Sequence, residues 1–452
     1  MKPYYVKPKN HISIRPMFIV LLGFLAVMFI GSFLLALPCS NKSGEWQSFT
    51  DMFFTSASAV CVTGLIVRST ACSFTGFGQA VILLLIQVGG LGIMTLATLV
   101  FMLIRKRITL KDRLALQEVL GQDHIKGIVR LVRNIALMTV IIEATGTILL
   151  LPFLCVKNGA IGIWQAVFTS VSAFCNAGFD INGTTDSPYA SLTGYTDNPC
   201  VLLIVSLLII LGGLGFTVIT DILNCKFRFK RYRPHTKTVL ISTAVLLVTG
   251  TFFFLASEFN SQAFAKLNGA EKFLNSIFQS VTARTAGFNS IDQTKLSQAG
   301  KIFTVILMFI GAAPGGTGGG IKVTTLTVLI LMGWSGLRGN DDIIIGKNRI
   351  TFKTGMRAVT VIMLAIAFIM AGTLIITISD TSLTGKVLFN TVSAFTNTGL
   401  SVDDISILSY PAKYTFIVLM LIGRLGPLSM GMMFGKQAKS GLKFPPANIM
   451  IG

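Results

Sequence analysis

The stretch FTSVSAFCNAGF (168–179) has three near-copies elsewhere in the chain. They read FTSASAVCVTGL (54–65), FQSVTARTAGF (278–288) and FNTVSAFTNTGL (389–400). Each begins with Phe, continues through hydroxyl-bearing residues and ends in a glycine followed by Leu or Phe. The glycines Gly64, Gly178, Gly287 and Gly399 are 114, 109 and 112 residues apart. A motif that recurs at a fixed period indicates four copies of one structural unit.

The composition predicts a membrane protein. The chain has 452 residues, of which 52% are hydrophobic and only 12% are charged, whereas soluble domains carry about 25% charged residues. The first apolar run, 17–37, is too long for an ordinary signal peptide, so we expect a retained membrane helix. The net charge of +20 does not indicate nucleic-acid binding, because the basic residues lie in short segments between apolar runs. The seven cysteines form no metal-ligand pattern and are interpreted as packing residues.

The sequence predicts an all-α fold of four membrane–pore-loop–membrane units, with eight transmembrane helices and four short re-entrant helices. A membrane-spanning helix needs about 20 apolar residues. The units are 1–110, 111–225, 226–335 and 336–452. Their first spans are 17–37, 135–155, 238–255 and 358–378, and their pore loops are 54–65, 168–179, 278–288 and 389–400. Their second spans are 78–104, 199–223, 302–332 and 414–434.

Charge distribution predicts the orientation of the units. Most lysines and arginines lie in the two tails and in the segments 105–133, 226–237 and 338–357, between units. The positive-inside rule assigns these regions, and both termini, to the cytoplasm of a plasma membrane. All four units then have the same orientation, which permits pseudo-fourfold symmetry. An alternating-access transporter built from inverted repeats needs units of opposite orientation and is disfavoured.

The four stretches predict a cation-selective filter. They are too short and too polar to span a bilayer, and irregular backbone survives at membrane depth only when it is buried or lines water. Four extended segments around one axis would present rings of carbonyl oxygens to a cation. The third copy is one residue shorter than the others, and we expect the missing residue to come from the short helix rather than from the filter. The alternative interpretation of all four stretches is that they are only turns between helices. The predicted filter residues are Val62, Thr63, Gly64, Asn176, Ala177, Gly178, Thr285, Ala286, Gly287, Asn397, Thr398 and Gly399.

A second motif, GAAPGGTGGG (311–320), interrupts the second span of unit three and predicts a gate. Proline and clustered glycines do not continue a helix. The basic residue Arg424, mid-membrane in the last span, is expected to bind carbonyls of this loop, because an intramembrane cation is usually functional or paired. A passive kink and a snorkelling Lys322 are the alternatives. The predicted gate residues are Gly311, Pro314, Gly315, Gly316, Thr317, Gly318, Gly319, Gly320, Lys322 and Arg424.

Shorter glycine clusters, 89–92 and 212–215, lie at the equivalent places in units one and two. They are interpreted either as weaker versions of the glycine-rich interruption or as sites of close helix packing. Two further charges remain. Glu143, within an apolar run, has a basic residue as its candidate partner and is assigned no role in conduction. Arg284, directly before Thr285, is expected to brace the filter together with an acid such as Asp292.

The quoted loops, each with one filter glycine, resemble the Trk/Ktr/HKT superfamily of potassium transporters, and the eight spans are most similar to the Ktr-type membrane subunit. The resemblance implies K⁺ selectivity, because Gly64 stands where sodium-preferring members have serine. It also implies a homodimer on a cytoplasmic ring of regulatory subunits that bind ATP or ADP, with no organic cofactor in this chain. Anionic lipids are the simpler partners of the basic loops. A Na⁺-permeable or Na⁺-coupled transporter of the same architecture is the alternative. An intramembrane enzyme is disfavoured, because the three histidines (His11, His124 and His235) lie in hydrophilic segments.

Overall fold

The computed structural model describes residues 16–92, 95, 128–339, 343–345, 348–380 and 386–434. Much of the predicted second span of unit one, both predicted tails and most of the basic segment 105–133 lie outside these residues. The described chain is mostly helical, as predicted. In chain order the helices are α1 (Pro16–Ala36), α2 (Phe49–Cys61), α3 (Thr70–Ser73), α4 (Gly76–Leu91), α5 (Ile128–Asn158), α6 (Ile161–Phe174), α7 (Pro199–Leu214), α8 (Phe216–Asn224), α9 (Pro234–Glu258), α10 (Gly269–Thr282), α11 (Gln298–Phe309), α12 (Val323–Leu337), α13 (Phe352–Ser379), α14 (Val387–Thr396), α15 (Tyr410–Leu425) and α16 (Pro427–Phe434).

Each predicted unit begins with a long helix, and these are α1, α5, α9 and α13. All four are long and apolar enough to cross a membrane. They turn large apolar side chains outward, as Ile30 of α1 (63% exposed) and Met363 of α13 (67% exposed) do. Such surfaces are costly in water and suit contact with lipid.

A short helix packs closely against each long helix. In units one to three a serine hydroxyl of the short helix donates a hydrogen bond to a backbone carbonyl of the long one. A glycine of the long helix faces that serine, and a Cβ there would collide with the hydroxyl oxygen. The close approach therefore depends on the glycines. The serine pairs are Ser56 with Met28 (2.8 Å), Ser170 with Glu143 (2.7 Å) and Ser280 with Leu247 (3.0 Å), and the facing glycines are Gly31, Gly146 and Gly250.

The helix that follows the repeated stretch is broken in units two and four, which corrects the prediction of continuous spans there, and in unit three, where an interruption was predicted. The predicted span 199–223 bends by 94° between α7 and α8, at Gly215 (φ 88°). The predicted span 414–434 breaks at Gly426, which also has φ 88°, and α4 ends at Gly92 (φ 81°). In unit three the break is the whole segment between α11 and α12. Left-handed backbone ends a helix, and glycine adopts it without steric cost.

A small hairpin was not predicted from the sequence. It pairs β1 (Ile343–Ile345) with β2 (Asn348–Ile350) in antiparallel register, with Ile343 opposite Ile350. The hairpin lies in the predicted basic loop before α13.

The repeated stretches form the centre of the packing. Their first residues, Phe54, Phe168 and Phe278, are fully buried, and Phe389 is 5% exposed. Serine, threonine and asparagine side chains of the same stretches are buried beside them. The hydroxyl and amide side chains of the repeated stretches thus lie in the interior, while the long helices turn apolar side chains outward.

Candidate functional site

The glycines that end the four stretches form a closed ring. Each lies against the carbonyl oxygen of the middle strand residue of the next unit, so closely that a Cβ would overlap it; on Gly64 the distance would be 2.5 Å. The contacts run from unit one to two, three, four and back to one, so the strands surround a common axis. The contacts are Gly64 with Ala177, Gly178 with Ala286, Gly287 with Thr398 and Gly399 with Thr63.

The four strands share an uncommon backbone conformation. The residue two positions before each glycine is left-handed, although none of these residues is glycine. A β-branched residue with positive φ, such as Val62, is a clear outlier, and such strain concentrates at functional sites. The expectation of a strand extended from its first residue is therefore wrong at that residue. The φ values are 59° for Val62, 58° for Asn176, 65° for Thr285 and 54° for Asn397.

Buried hydroxyls hold the strands in two different ways. In units one and four the serine accepts a hydrogen bond from the glycine N–H: Ser58 from Gly64 and Ser393 from Gly399, both at 3.1 Å. In units two and three the hydroxyl instead donates to the carbonyl of the following Phe. These bonds run from Ser172 to Phe179 (2.6 Å) and from Thr282 to Phe288 (2.7 Å). The two arrangements coincide with the Gly-Leu and Gly-Phe endings of the sequence.

The one residue that the third copy lacks is missing from the end of its short helix, as expected. In unit three the hydroxyl belongs to Thr282, which is the last residue of α10. In units one and four the equivalent Ser58 and Ser393 are followed by further residues of α2 and α14. The strand itself keeps its length, because left-handed Thr285 still stands two positions before Gly287.

A cavity of about 790 Å³ opens on one side of the ring. All four glycines line it, together with Asp180, Asp292, Asp403 and Asp404. Asp403 forms an ion pair with Lys386 (3.0 Å). Burial raises the pKa of Asp180 to about 6, although a hydrogen bond from the Asn182 backbone N–H opposes the rise. Lys266 and Lys295 line the same cavity, so its aspartates outnumber its basic residues by four to two.

The glycine-rich segment of unit three lies against the other side of the ring. The Thr317 hydroxyl donates to the Phe174 carbonyl (3.1 Å). A Cβ on Gly318 would collide with the Thr285 hydroxyl, and one on Gly319 would lie 2.5 Å from the Thr396 carbonyl oxygen. Residues 317–319 thus contact the approaches to three of the four strands.

This loop is anchored to the broken helix of unit two. Ala313 and Thr317 donate backbone hydrogen bonds to the carbonyls of Gly213 (2.9 Å) and Gly212 (3.1 Å). Phe216 donates in return to the Gly315 carbonyl at 3.1 Å. The loop's ends also meet, because Gly311 N–H donates to the Ile321 carbonyl at 2.9 Å.

Two partly buried cations bind carbonyls of the same loop. The Arg424 guanidinium donates to the Thr317 carbonyl and, on the other side, to the carbonyls of Gly89 and Gly90. Lys322 Nζ donates to the Gly318 carbonyl at 2.7 Å, so it turns into the loop rather than away from the protein. Arg424 connects the loop of unit three to units one and four, whereas Lys322 binds within the loop itself.

The structure contradicts the predicted Arg284–Asp292 pair, and among the described residues it shows no basic partner of Glu143. Asp292 pairs with Lys295 (3.3 Å), not with Arg284. Arg284 is 8% exposed, its Nε has no hydrogen-bond partner, and it lines a small cavity with Asn176 and Thr243. Glu143 forms no ion pair within the described residues and accepts a hydrogen bond from Gln87 Nε2 at 3.0 Å.

The helix-breaking glycines were not identified as site residues from the sequence. Gly89, Gly212 and Gly423 lie against the carbonyls of Val60, Phe174 and Phe395, where a Cβ would collide. The glycine three residues later then breaks each helix. The recurring patterns GGLG (89–92), GGLG (212–215) and GRLG (423–426) were the available signal. They place Arg424 at the position of Gly90 and Gly213.

Comparison with known proteins identifies the family. The profile of the TrkH family, described as a cation transport protein, matches residues 15–444. The chain belongs to the TrkH family of cation transport proteins. It is 36% identical to the Ktr system potassium uptake protein B of Bacillus subtilis (strain 168), over 98% of each chain. It is also 36% identical to the potassium/sodium uptake protein NtpJ of Enterococcus hirae, over 99% of each chain.

A solved structure of a TrkH family member supports the fold. The potassium transporter TrkH from Vibrio parahaemolyticus superimposes with a TM-score of 0.72, covering 95% of this chain and 87% of that one. The two sequences are 18% identical, so this likeness concerns the arrangement of the helices. Because the chain belongs to a family of ion-transport proteins, it is not an enzyme, and the alternative of an intramembrane enzyme is excluded.

Proposed function

We propose that this protein takes up potassium ions across the plasma membrane through a channel-like pore. The ring of four glycine strands is the observation that carries this proposal. Carbonyl oxygens of Thr63, Ala177, Ala286 and Thr398 face neighbouring strands around one axis, with an acidic cavity on one side. Such a ring replaces the hydration shell of a cation without any charged ligand.

The architecture that we propose has four units of equal orientation and eight membrane crossings. Four long helices and the bent pair α7–α8 are the crossings supported by length and composition within the described residues. The remaining crossings are broken helices, with α4, the α11–α12 pair and the α15–α16 pair as their described parts. We place both termini in the cytoplasm, where the basic segments favour them, so the cavity opens outward.

The glycine-rich loop serves as the gate in this proposal. It lies on the cytoplasmic side of the ring, and its backbone fills the space that an ion leaving the filter would cross. Arg424 and Lys322 add two positive charges at the same place, which disfavours a cation there. Opening then requires loop displacement and the loss of their hydrogen bonds.

The partners follow from the relatives named Ktr system potassium uptake protein. We propose a homodimer regulated by a cytoplasmic nucleotide-binding ring that carries ATP or ADP. The predicted basic cytoplasmic segments supply the docking surface for this ring or for anionic lipids.

Sodium transport is the second candidate. The observation that favours it is the 36% identity to the Enterococcus protein, whose name includes both potassium and sodium uptake. Glycine at all four ring positions favours potassium as the main ion, with sodium as the competing or coupled ion.

Ion flux in proteoliposomes tests the proposal. We expect the wild-type protein to carry K⁺ and Rb⁺ in preference to Na⁺, and Gly64→Ser to reduce that preference at least about tenfold, because its Cβ meets the Ala177 carbonyl and strained backbone costs roughly 1–3 kcal/mol. Gly159→Ser is the matched control, since Gly159 also has positive φ (60°) but nothing within 4 Å of a Cβ. Equal K⁺ and Na⁺ flux in the wild type contradicts the potassium assignment.

A further inference from the structure

A buried carboxyl group lies directly behind the second strand of the ring. Glu143 belongs to the long helix α5 and is 7% exposed. Its Oε2 accepts a hydrogen bond from Gln87 of α4 at 3.0 Å. The Cys175 thiol lies 3.4 Å from Gln87 Oε1 and 3.8 Å from Glu143 Oε1, as a donor to either. Three polar groups from three helical segments therefore form one cluster.

Cys175 connects this cluster to the strand. It is the residue that caps α6 and precedes left-handed Asn176. On its other side the thiol packs against Gly90, where a Cβ would lie 2.5 Å from Sγ. The thiol is thus held between the α4 backbone and the Glu143–Gln87 pair, and any shift of that pair displaces the start of the strand.

The equivalent positions in the other units are apolar. Glu143 stands three residues before Gly146, whose counterparts Gly31 and Gly250 follow Met28 and Leu247 at the same spacing. The carbonyls of Met28, Glu143 and Leu247 accept the same serine hydrogen bond. Gln87 stands two residues before Gly89, where the other broken helices α7 and α15 have Ile210 and Leu421. The polar cluster therefore joins Gln87 of unit one to Glu143 and Cys175 of unit two, and it is not a requirement of the fold.

Burying this cluster is costly unless each polar group finds a partner. Among the described residues Glu143 has no cation partner, and Arg424 reaches α4 only through the carbonyls of Gly89 and Gly90. α4 therefore lies between the cluster and the arginine of the gate. Because α4 is hydrogen-bonded to Glu143 on one side and to Arg424 on the other, the position of Cys175 against α4 is restricted.

We propose that Glu143 is a positioning residue for ion selection: through Gln87 and Cys175 it fixes the second filter strand in the geometry that coordinates K⁺. The inference rests on the proposed function of the ring. Glu143 does not contact the ion. Its carboxyl group determines where Cys175, and hence the backbone of Asn176 and Ala177, can lie.

The test uses full-length protein in proteoliposomes and measures KM for K⁺ and the K⁺/Na⁺ flux ratio at equal amounts of monodisperse protein. Glu143→Met introduces the residue of unit one, Glu143→Gln keeps the size and hydrogen bonds, and Thr145→Met is an exposed control on α5. We expect Glu143→Met to raise KM and lower the flux ratio roughly tenfold, the effect of losing a buried hydrogen bond to a carboxyl group. We expect Glu143→Gln to stay within about twofold, because its amide still bonds Gln87.

A double-mutant cycle adds a readout that simple destabilisation does not reproduce. Gln87→Leu, the residue of unit four, should match Glu143→Met, and the double variant should be no worse than either one, because residues of one network are not additive. Unchanged KM and flux ratio in Glu143→Met, additive effects, or a Glu143→Gln variant as impaired as Glu143→Met each overturn the inference. Failure of the wild-type protein to carry K⁺ in the same vesicles instead refutes the proposed function.

Discussion

The four units form two adjacent regions that differ in symmetry. One is the ring of strands, and the other is the layer of backbone and side chains that packs against the ring on the side of the glycine-rich loop. In the ring, every unit contributes a left-handed residue and a glycine in the same relation to its neighbour. In the adjoining layer the units supply different groups: Gly90 in unit one, Gly213 in unit two, a ten-residue glycine-rich loop in unit three and Arg424 in unit four. The four units are equivalent in the ring and differ in the layer beside it.

The proposed function accounts for this difference. A ring of carbonyls needs equal spacing, so a change in one strand disturbs all contacts around the axis. An obstruction needs only one element that enters the axis, held by neighbours that leave room for it. Gly212 and Gly213 provide carbonyls for the loop, and Arg424 fills the position that glycine occupies in units one and two.

The largest effect should come from breaking the ring. Gly178→Ala places a Cβ about 2.7 Å from the Ala286 carbonyl at a φ of 68°. The clash is with backbone, which does not move aside, so we expect Rb⁺ uptake to fall at least about a hundredfold. This corresponds to about 2.7 kcal/mol, at the upper end of the roughly 1–3 kcal/mol typical of backbone strain. Gly159→Ala is the control. Normal uptake by Gly178→Ala would mean that the ring is not the ion path.

The next largest effect should come from removing the asymmetric element. Deletion within 315–319 shortens the loop but leaves Gly311 and Ile321 able to pair. We expect K⁺ flux to rise about tenfold, a change of about 1.4 kcal/mol in the gating equilibrium, with the K⁺/Na⁺ ratio preserved. A deletion variant with lower flux and altered selectivity would show that the loop supports the ring instead of blocking it.

A smaller effect should come from Arg424→Ala. This change removes hydrogen bonds to Thr317, Gly89 and Gly90 but leaves the loop in place. Charge-assisted hydrogen bonds contribute roughly 1.5–3 kcal/mol each, but water entering the vacated space replaces part of this, so we expect flux to rise about threefold. Arg424→Lys, which retains the charge and one or two donors, should lie between Arg424→Ala and the wild type. If neither the deletion nor Arg424→Ala alters flux, the loop is a passive kink.

The sequence predicted the parts of the fold that depend on repetition and apolar length. The four long helices and the repeated stretches lie where predicted, because a long apolar run and a fourfold motif have few alternative explanations. The breaks at Gly215 and Gly426 were missed, because a single glycine costs a helix only about 1 kcal/mol. The tight approach of Gly212 and Gly423 to neighbouring carbonyls is a tertiary contact that the sequence alone does not reveal.

The side-chain partners of the buried charged residues were the weakest part of the prediction. The sequence does not show that Asp292 pairs with Lys295, three residues away, instead of with Arg284. It also does not show that Gln87, from another unit, donates a hydrogen bond to Glu143. The left-handed strand residues were also unforeseen, since Val62 and Thr285 normally favour extended backbone. These features depend on how the four units meet, and that arrangement is encoded in no single stretch.

The most direct test of the central claim is to locate the ion. Crystals of the protein grown with Rb⁺ in place of K⁺ should give an anomalous difference peak on the axis of the ring, between Gly64, Gly178, Gly287 and Gly399, and the peak should weaken when K⁺ competes with Rb⁺. An empty ring with Rb⁺ bound elsewhere between the helices would contradict the account.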